Sequence, residues 1–208
     1  MTPDRDEARQ DLMDWVTVQV RGGFTPEDEL LDELEERVED ECGEGAPELA
    51  AELRAFAVGL LAGQRREEEG WPDPTTNDAI DAAFAELRER GIVALQNAGY
   101  TMSQGWEDAN EEAHTAFSSP RGAVFYHGQD LERAVEDGGL YLAFGAYEED
   151  DARHEAASLA VAREVVETLA RHGVETEWNG TVDQRIRILP FVWRRRRWPG
   201  APARPGPL

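Results

Sequence analysis

The chain of 208 residues contains no lysine: all 21 basic residues are arginine, set against 44 acids, for a net charge of −23. Arginine without lysine, alongside abundant Ala, Gly and Glu, is the coding bias expected of a high-GC bacterial genome. A surface this acidic repels nucleic acid and anionic membranes, because phosphate binding needs clustered cations. Cysteine is nearly absent. With Cys42 alone, no internal disulfide and no Cys-based zinc site forms. Histidine occurs only at positions 114, 127, 154 and 172. No two have a metal-ligand spacing, and His154 beside Asp151 and Glu155 reads as a solvated surface residue, so neither metal nor cofactor is expected. Long apolar runs are missing too, and the opening MTPDRDEARQ has no apolar h-region, which predicts a cytoplasmic protein without a membrane span. No nucleophile elbow, Gly-rich phosphate loop or HExxH pattern occurs.

What is present begins with helices. Thr2-Pro3 is a start signal, Ala8, Leu12, Trp15 and Val16 form one stripe, and Gly22-Gly23 ends it. Leu30, Leu31, Leu34 and Val38 carry a second helix, whose acidic run EDELLDELEERVEDE reads most simply as a solvated face. Leu49, Leu53, Phe56 and Leu60 carry a third, opened by Pro47. Residues 1–63 thus form an acidic helical region, and 64–76 (QRREEEGWPDPTT) reads as a linker. An α/β domain is expected over 77–198, followed by a disordered Pro-rich tail over 199–208.

The second region centres on GAVFYHGQDLERAVEDGGLYLAFGA, Gly122–Ala146. Ala123–His127 reads as a buried strand, Gln129–Asp137 as a short helix and Leu140–Ala146 as another strand. That order predicts a βαβ unit with its two strands parallel. A helix precedes it with Ile80, Phe84 and Leu87 inward, capped near Thr76 or Asn77. Ile92–Leu95 reads as a short strand and Trp106–Phe117 as an acidic helix. A long helix follows, led by EEDD at Glu148–Asp151, with Leu159, Ala162, Val166 and Leu169 inward and Gly173 as its cap. Asn179-Gly180 signals a C-terminal hairpin. A three-residue loop pairing Trp178 with Val182 and Val174 with Ile186 gathers the apolar residues on one face and sets Glu175 against Arg185. The predicted class is α/β, with α+β as the alternative: a mixed sheet of four to five strands behind an acidic helical region.

RGIVAL at Arg90–Leu95, VFYHGQD at Val124–Asp130, GGLYLAFG at Gly138–Gly145, and VETEWNG with QRIRI near the C-terminus carry a resemblance. The stretch from Gly91 to Arg197 resembles an actinobacterial domain family of unknown function, and the first helical region is not needed for the match. The resemblance implies an α/β fold and no established activity. Members carry a cysteine cluster after the first strand; here NAGYTMSQGWEDANEE has none, so no metal or redox role carries over. The chain also resembles, at the level of fold, acidic ferredoxin-like ribonuclease regulators, which is analogy only.

Tyr126, His127, Gln129 and Asp130 lie where a strand runs into a helix, the position at which ligands gather in open α/β sheets. There His127 could serve as general base with Asp130 orienting it. The plainer alternative, which weighs more, makes Asp130 the N-cap of the helix and His127 a hydrogen-bonded strand end. Trp178, Asp183 and Arg185 flank the hairpin as candidate pocket residues. The run Trp193–Trp198 interleaves Arg194, Arg195, Arg196 and Arg197 with aromatics, a pattern able to grip single-stranded nucleic acid. The acidic body argues instead that these arginines, alternating along a final strand, pair with acidic helices of the chain or of a second subunit. The sequence therefore favours a non-enzymatic interaction or regulatory protein whose acidic surface meets a basic partner. A small-molecule enzyme using His127 and Asp130 is the alternative, nucleic-acid binding the weaker one, and self-association is left open.

Overall fold

The structure is a computed structural model that describes residues 5–42, 46–136 and 138–198. The start signal at Thr2-Pro3 and the tail over 199–208 lie outside the described residues. The chain divides into two compact units, the described residues up to Asp73 together with those from Arg194 onward, and Pro74–Trp193.

The first unit is three helices that pack on one another: α1 (Arg5–Gly22), α2 (Glu27–Cys42) and α3 (Pro47–Glu68). Their apolar stripes recur at helical spacing, so Leu12, Val16, Val20, Leu30, Leu34, Val38, Leu53 and Ala57 close into one core. The α3 stripe does not stop where the hydrophobic residues do. It continues through Gln64 and Glu68, both buried, so part of the stretch expected as a linker is the last turns of a helix.

These polar ends are held by a segment from the far end of the chain. Arg197 donates its backbone N–H to Glu68 Oε1 at 2.9 Å. Its guanidinium donates to the carbonyls of Gln19 (2.9 Å), Val20 (3.3 Å) and Thr25. Carbonyls in the last turn of a helix have no intrahelical donor, and a cation there also meets the negative end of the macrodipole. Arg195 lies over the Phe24 ring, Arg65 lies over Trp198, and Arg196 donates to the Pro72 carbonyl. The four arginines 194–197 are half-buried and none is in a strand, which corrects the expected alternation along a final strand. Pro190 accounts for the end of that strand, since it has no N–H for the ladder. Arg197 takes mainly carbonyls rather than the expected carboxylates, and residues 194–198 belong with the helices rather than with the α/β region.

The second unit runs α4 (Thr76–Glu89), β1 (Ile92–Leu95), α5 (Met102–Ala116), β2 (Gly122–Phe125), α6 (Gly128–Glu136), β3 (Leu140–Ala146), α7 (Asp151–Arg171), β4 (Thr176–Glu177) and β5 (Ile186–Ile188). Its sheet is mixed and five-stranded, in the order β1-β2-β3-β5-β4, so the class is α/β as predicted. Alternate residues Val93, Ala123, Phe125 and Ala143 face Ala109 and Ala113 of α5. On the other side α7 packs against β2 and β3, and α4 against β1 and α7. In α7 the face turned inward is Ser158, Val161, Ala162, Val165, Thr168 and Leu169, rotated from the expected stripe so that Leu159 and Val166 are only half-buried. α4 is capped by Thr75, one residue earlier than expected, in a reciprocal capping box with Asp78.

Two pairings differ from expectation. The parallel βαβ unit is β1-α5-β2, whereas β2 and β3, expected to be parallel, are antiparallel with Gly122 opposite Ala146 and Phe125 opposite Ala143. Apolar patterning separates strand from helix but holds no information on direction. Direction is set by the turn, where Gly138 and Gly139 take φ of +74° and +87°, a left-handed conformation that suits glycine. Because β1 and β2 are adjacent as well as parallel, the sheet is not the split βαβ arrangement of the ferredoxin-like fold.

The hairpin register also moves. Thr176 pairs with Ile188 and Glu177 with Arg187, so residues 178–185 form the loop and Glu175 does not face Arg185. Against the expected register the slip is an even number of residues, which leaves every side chain on its intended face. Ile186 and Ile188 are accordingly fully buried. The expected strand Val174–Trp178 shortens because Trp178 turns into the loop, donating its indole N–H to the carbonyls of Thr181 and Gln184, each at 3.0 Å.

Candidate functional site

At the end of β2 the chain passes through His127 into α6. The His127 carbonyl accepts from the N–H groups of Asp130 and Leu131, and ring Nδ1 also faces the Asp130 N–H at 3.4 Å. His127 therefore holds the N-cap position that the sequence reading gave to Asp130. Asp130 lies one turn into the helix and points inward, its side chain wholly buried.

The buried carboxylate is fully engaged. Arg185 donates Nη1 to both of its oxygens, at 3.0 and 2.8 Å, Arg133 donates to Oδ1 at 3.2 Å, and His127 Nε2 lies 3.2 Å from Oδ2. With Nδ1 turned to a backbone donor, the proton of the neutral ring sits on Nε2 and is donated to Asp130. Burial pushes the imidazole pKa below its ordinary value; Asp130 opposes that shift, and Arg185 and Arg133 add to it. Both ring nitrogens are thus occupied within the fold. This arrangement orders α6, β5 and the hairpin around one charge and leaves His127 no free nitrogen to present to a substrate.

The arginines extend outward from Asp130 around an aromatic ring. The guanidinium carbons of Arg185, Arg187 and Arg133 lie 5.1, 5.4 and 5.5 Å from the centroid of Tyr141, within cation–π range. Tyr141 is half-buried, standing on β3 between the inward-facing Leu140 and Leu142. Sequence reasoning named His127, Asp130 and Arg185 but missed Arg133, Arg187 and Tyr141. Arg133 was detectable, since it stands three residues from Asp130 on one helix face.

The other candidates scatter. Tyr126 is buried, donating its hydroxyl to Gln96 Oε1 at 3.0 Å and meeting Trp193 edge to face. Gln129 is exposed, its backbone N–H given to the Tyr100 carbonyl. Trp178 packs edge-on against Phe144, and Asp183 is exposed in the hairpin loop. A separate cavity of about 530 Å³ is lined by Trp106, Phe144, Tyr147, His154, Glu155 and Val182, none of them a sequence candidate for a pocket. Its wall is shaped by Gly145, where any Cβ would stand 2.8 Å from the Trp106 ring. Among the described residues, no group of His, Cys, Asp and Glu side chains is arranged to hold a metal ion. Nor is any described helix long and apolar enough to cross a membrane.

A family model described as a domain of unknown function, DUF6891, matches residues 5–197. The chain belongs to the DUF6891 family. The match begins within α1, so the DUF6891 pattern takes in the helical unit that the resemblance from Gly91 onward did not need. It also reaches Arg197, the residue that holds the end of α1. No curated protein and no solved structure matches the chain.

Proposed function

We propose that this DUF6891 protein is a cytoplasmic, non-enzymatic interaction or regulatory protein that receives a basic protein partner on its acidic helical surface. The observation that carries this reading is the outer face of α2. Asp28, Asp32, Glu36 and Asp40 stand at successive i+4 positions, all exposed, and among the described residues none has an ion-pair partner. Arg37, Arg54 and Arg65 pair instead with Glu33, Glu35 and Glu27. Like charges at i,i+4 each destabilise a helix by about 0.2–0.5 kcal/mol, so this line works against folding by roughly 1 kcal/mol. Asp28, in the first turn of α2, is offset by the helix dipole, whereas Asp32, Glu36 and Asp40 lack such compensation among the described residues, as a binding surface would. The closed His127–Asp130 pair supports the same reading over catalysis.

The test is D28N/D32N/E36Q/D40N, titrated with a short arginine-rich peptide at low and high salt. The unmodified protein should bind with strong salt dependence. The variant should bind at least tenfold more weakly and be more stable by about 1 kcal/mol. Equal binding by both proteins, or none by either, would remove the proposal.

A further inference from the structure

The three arginines around Tyr141 form a concentration of positive charge on a chain whose net charge is −23. Elsewhere arginines pair with carboxylates that remain partly exposed: Arg54 with Glu35, Arg88 with Glu112, Arg90 and Arg121 with Glu164. Here Asp130 is the carboxylate that Arg185 and Arg133 share, and it is enclosed beneath them. Arg187 has only a loose partner, Glu177, at 4.0 Å with its side chain 68% exposed. Its Nε is buried and, among the described residues, has no hydrogen-bond partner.

The arginines themselves are open to solvent. Arg133, Arg185 and Arg187 are 48, 31 and 38% exposed at the side chain. They are fixed by three different elements, α6, the hairpin loop and β5, and their common neighbour is the Tyr141 ring. Asp130 fixes two of them, which limits the entropy lost when a ligand is gripped. Guanidinium groups present paired donors that match the oxygens of phosphate or carboxylate.

We infer that Arg133, Arg185 and Arg187, gathered about Tyr141, form a binding site for a small oxyanion of the phosphate class. Asp130 acts as the buried counter-charge that positions two of the arginines, and Arg187 brings a partly exposed guanidinium whose Nη1 has only a loose carboxylate partner. The site lies in the sheet unit and does not depend on the acidic α2 line. It would give the protein a second, oppositely charged ligand.

The test titrates the full chain with inorganic phosphate, with chloride at matched ionic strength as control, following backbone amide shifts by NMR. Saturable shifts are expected at Tyr141, Arg185 and Arg187, absent with chloride. R187Q removes the open guanidinium, while R133Q leaves Asp130 held by Arg185 and His127; each should weaken phosphate binding at least tenfold with the native amide spectrum retained. A phosphate monoester as second probe separates free phosphate from an esterified ligand, the tighter of the two naming the source. The inference is overturned if neither probe produces saturable shifts at these residues. It is equally overturned if both variants bind as the unmodified protein does.

Discussion

Each unit sets a charged side chain against partners from far along the chain, and the two solutions are opposite in sign. In the helical unit a cation, Arg197, is set among the neutral carbonyls of Gln19, Val20 and Thr25. In the sheet unit an anion, Asp130, is set among cations, with Arg185 and Arg133 on its oxygens and His127 beneath. Carbonyls that lose their cation are neutral dipoles, so no net charge is left unpaired. A buried carboxylate has no such recourse when a cation is lost, and without it the partly exposed Arg185 and Arg133 are left facing one another as like charges. Removing one member should therefore cost more in the sheet unit than in the helical one.

The largest effect is expected for Asp130→Ala. It leaves two guanidiniums converging on nothing and strips the histidine of its acceptor. Destabilisation of about 3 kcal/mol is expected from the lost charge-assisted bonds, read as a lower denaturation midpoint. Hydrogen exchange should show the protection lost at β2, α6 and β3. Equal loss across α1 would break the comparison, because it would mean the two charges stabilise one cooperative structure.

Arg197→Gln comes next. Three charge-assisted bonds go, while the backbone N–H to Glu68 remains and the freed carbonyls are neutral. About 2 kcal/mol is expected, with early exchange at the end of α1. If this variant proves as costly as Asp130→Ala, the contrast between neutral and charged partners explains nothing and the comparison fails.

Physics also decides how much of this was legible. The three-helix core and the mixed sheet followed from period-3.6 and period-2 patterning, because burial repeats along the chain and leaves a record there. Direction left none: β2 and β3 have the same composition whether parallel or antiparallel, and only the backbone of Gly138 and Gly139 decides. The hairpin shows the limit of such patterning in miniature. It fixed which face Ile186 and Ile188 take but not which residue lies opposite, since even slips are equivalent for burial. His127, Asp130 and Arg185 could be nominated one at a time from local chemistry. Their convergence with Arg133, Arg187 and Tyr141 could not, because it depends on α6, β3 and β5 meeting. Arg194–Arg197 misled for the same reason, as extended arginine-rich chain looks the same whether it joins a sheet or crosses the end of a helix.

The smallest expected effect is a pH dependence that belongs to the sheet unit. His127 is neutral and buried, and its pKa is held below the usual value near 6.5 by burial first, with Arg185 and Arg133 assisting and Asp130 opposing. As pH falls below about 6.5 the unfolded chain takes up the proton while the folded chain refuses it. Stability is therefore complete above that pH and is lost progressively as pH falls toward the folded-state value. One proton bounds the slope at about 1.4 kcal/mol per pH unit. Glu86 also has a lowered pKa, through its hydrogen bonds to His172 and Arg171, but from a carboxylate value of 4.5, so its loss begins at lower pH. Measurements between pH 7 and 5 thus separate the two. His127→Gln cannot titrate, and its amide can still donate to Asp130. The stability difference between the unmodified protein and this variant should shrink as pH falls from 7 to 5. Parallel profiles across that range would show that the ring does not resist protonation, and that Asp130 alone holds the charge balance of the cluster.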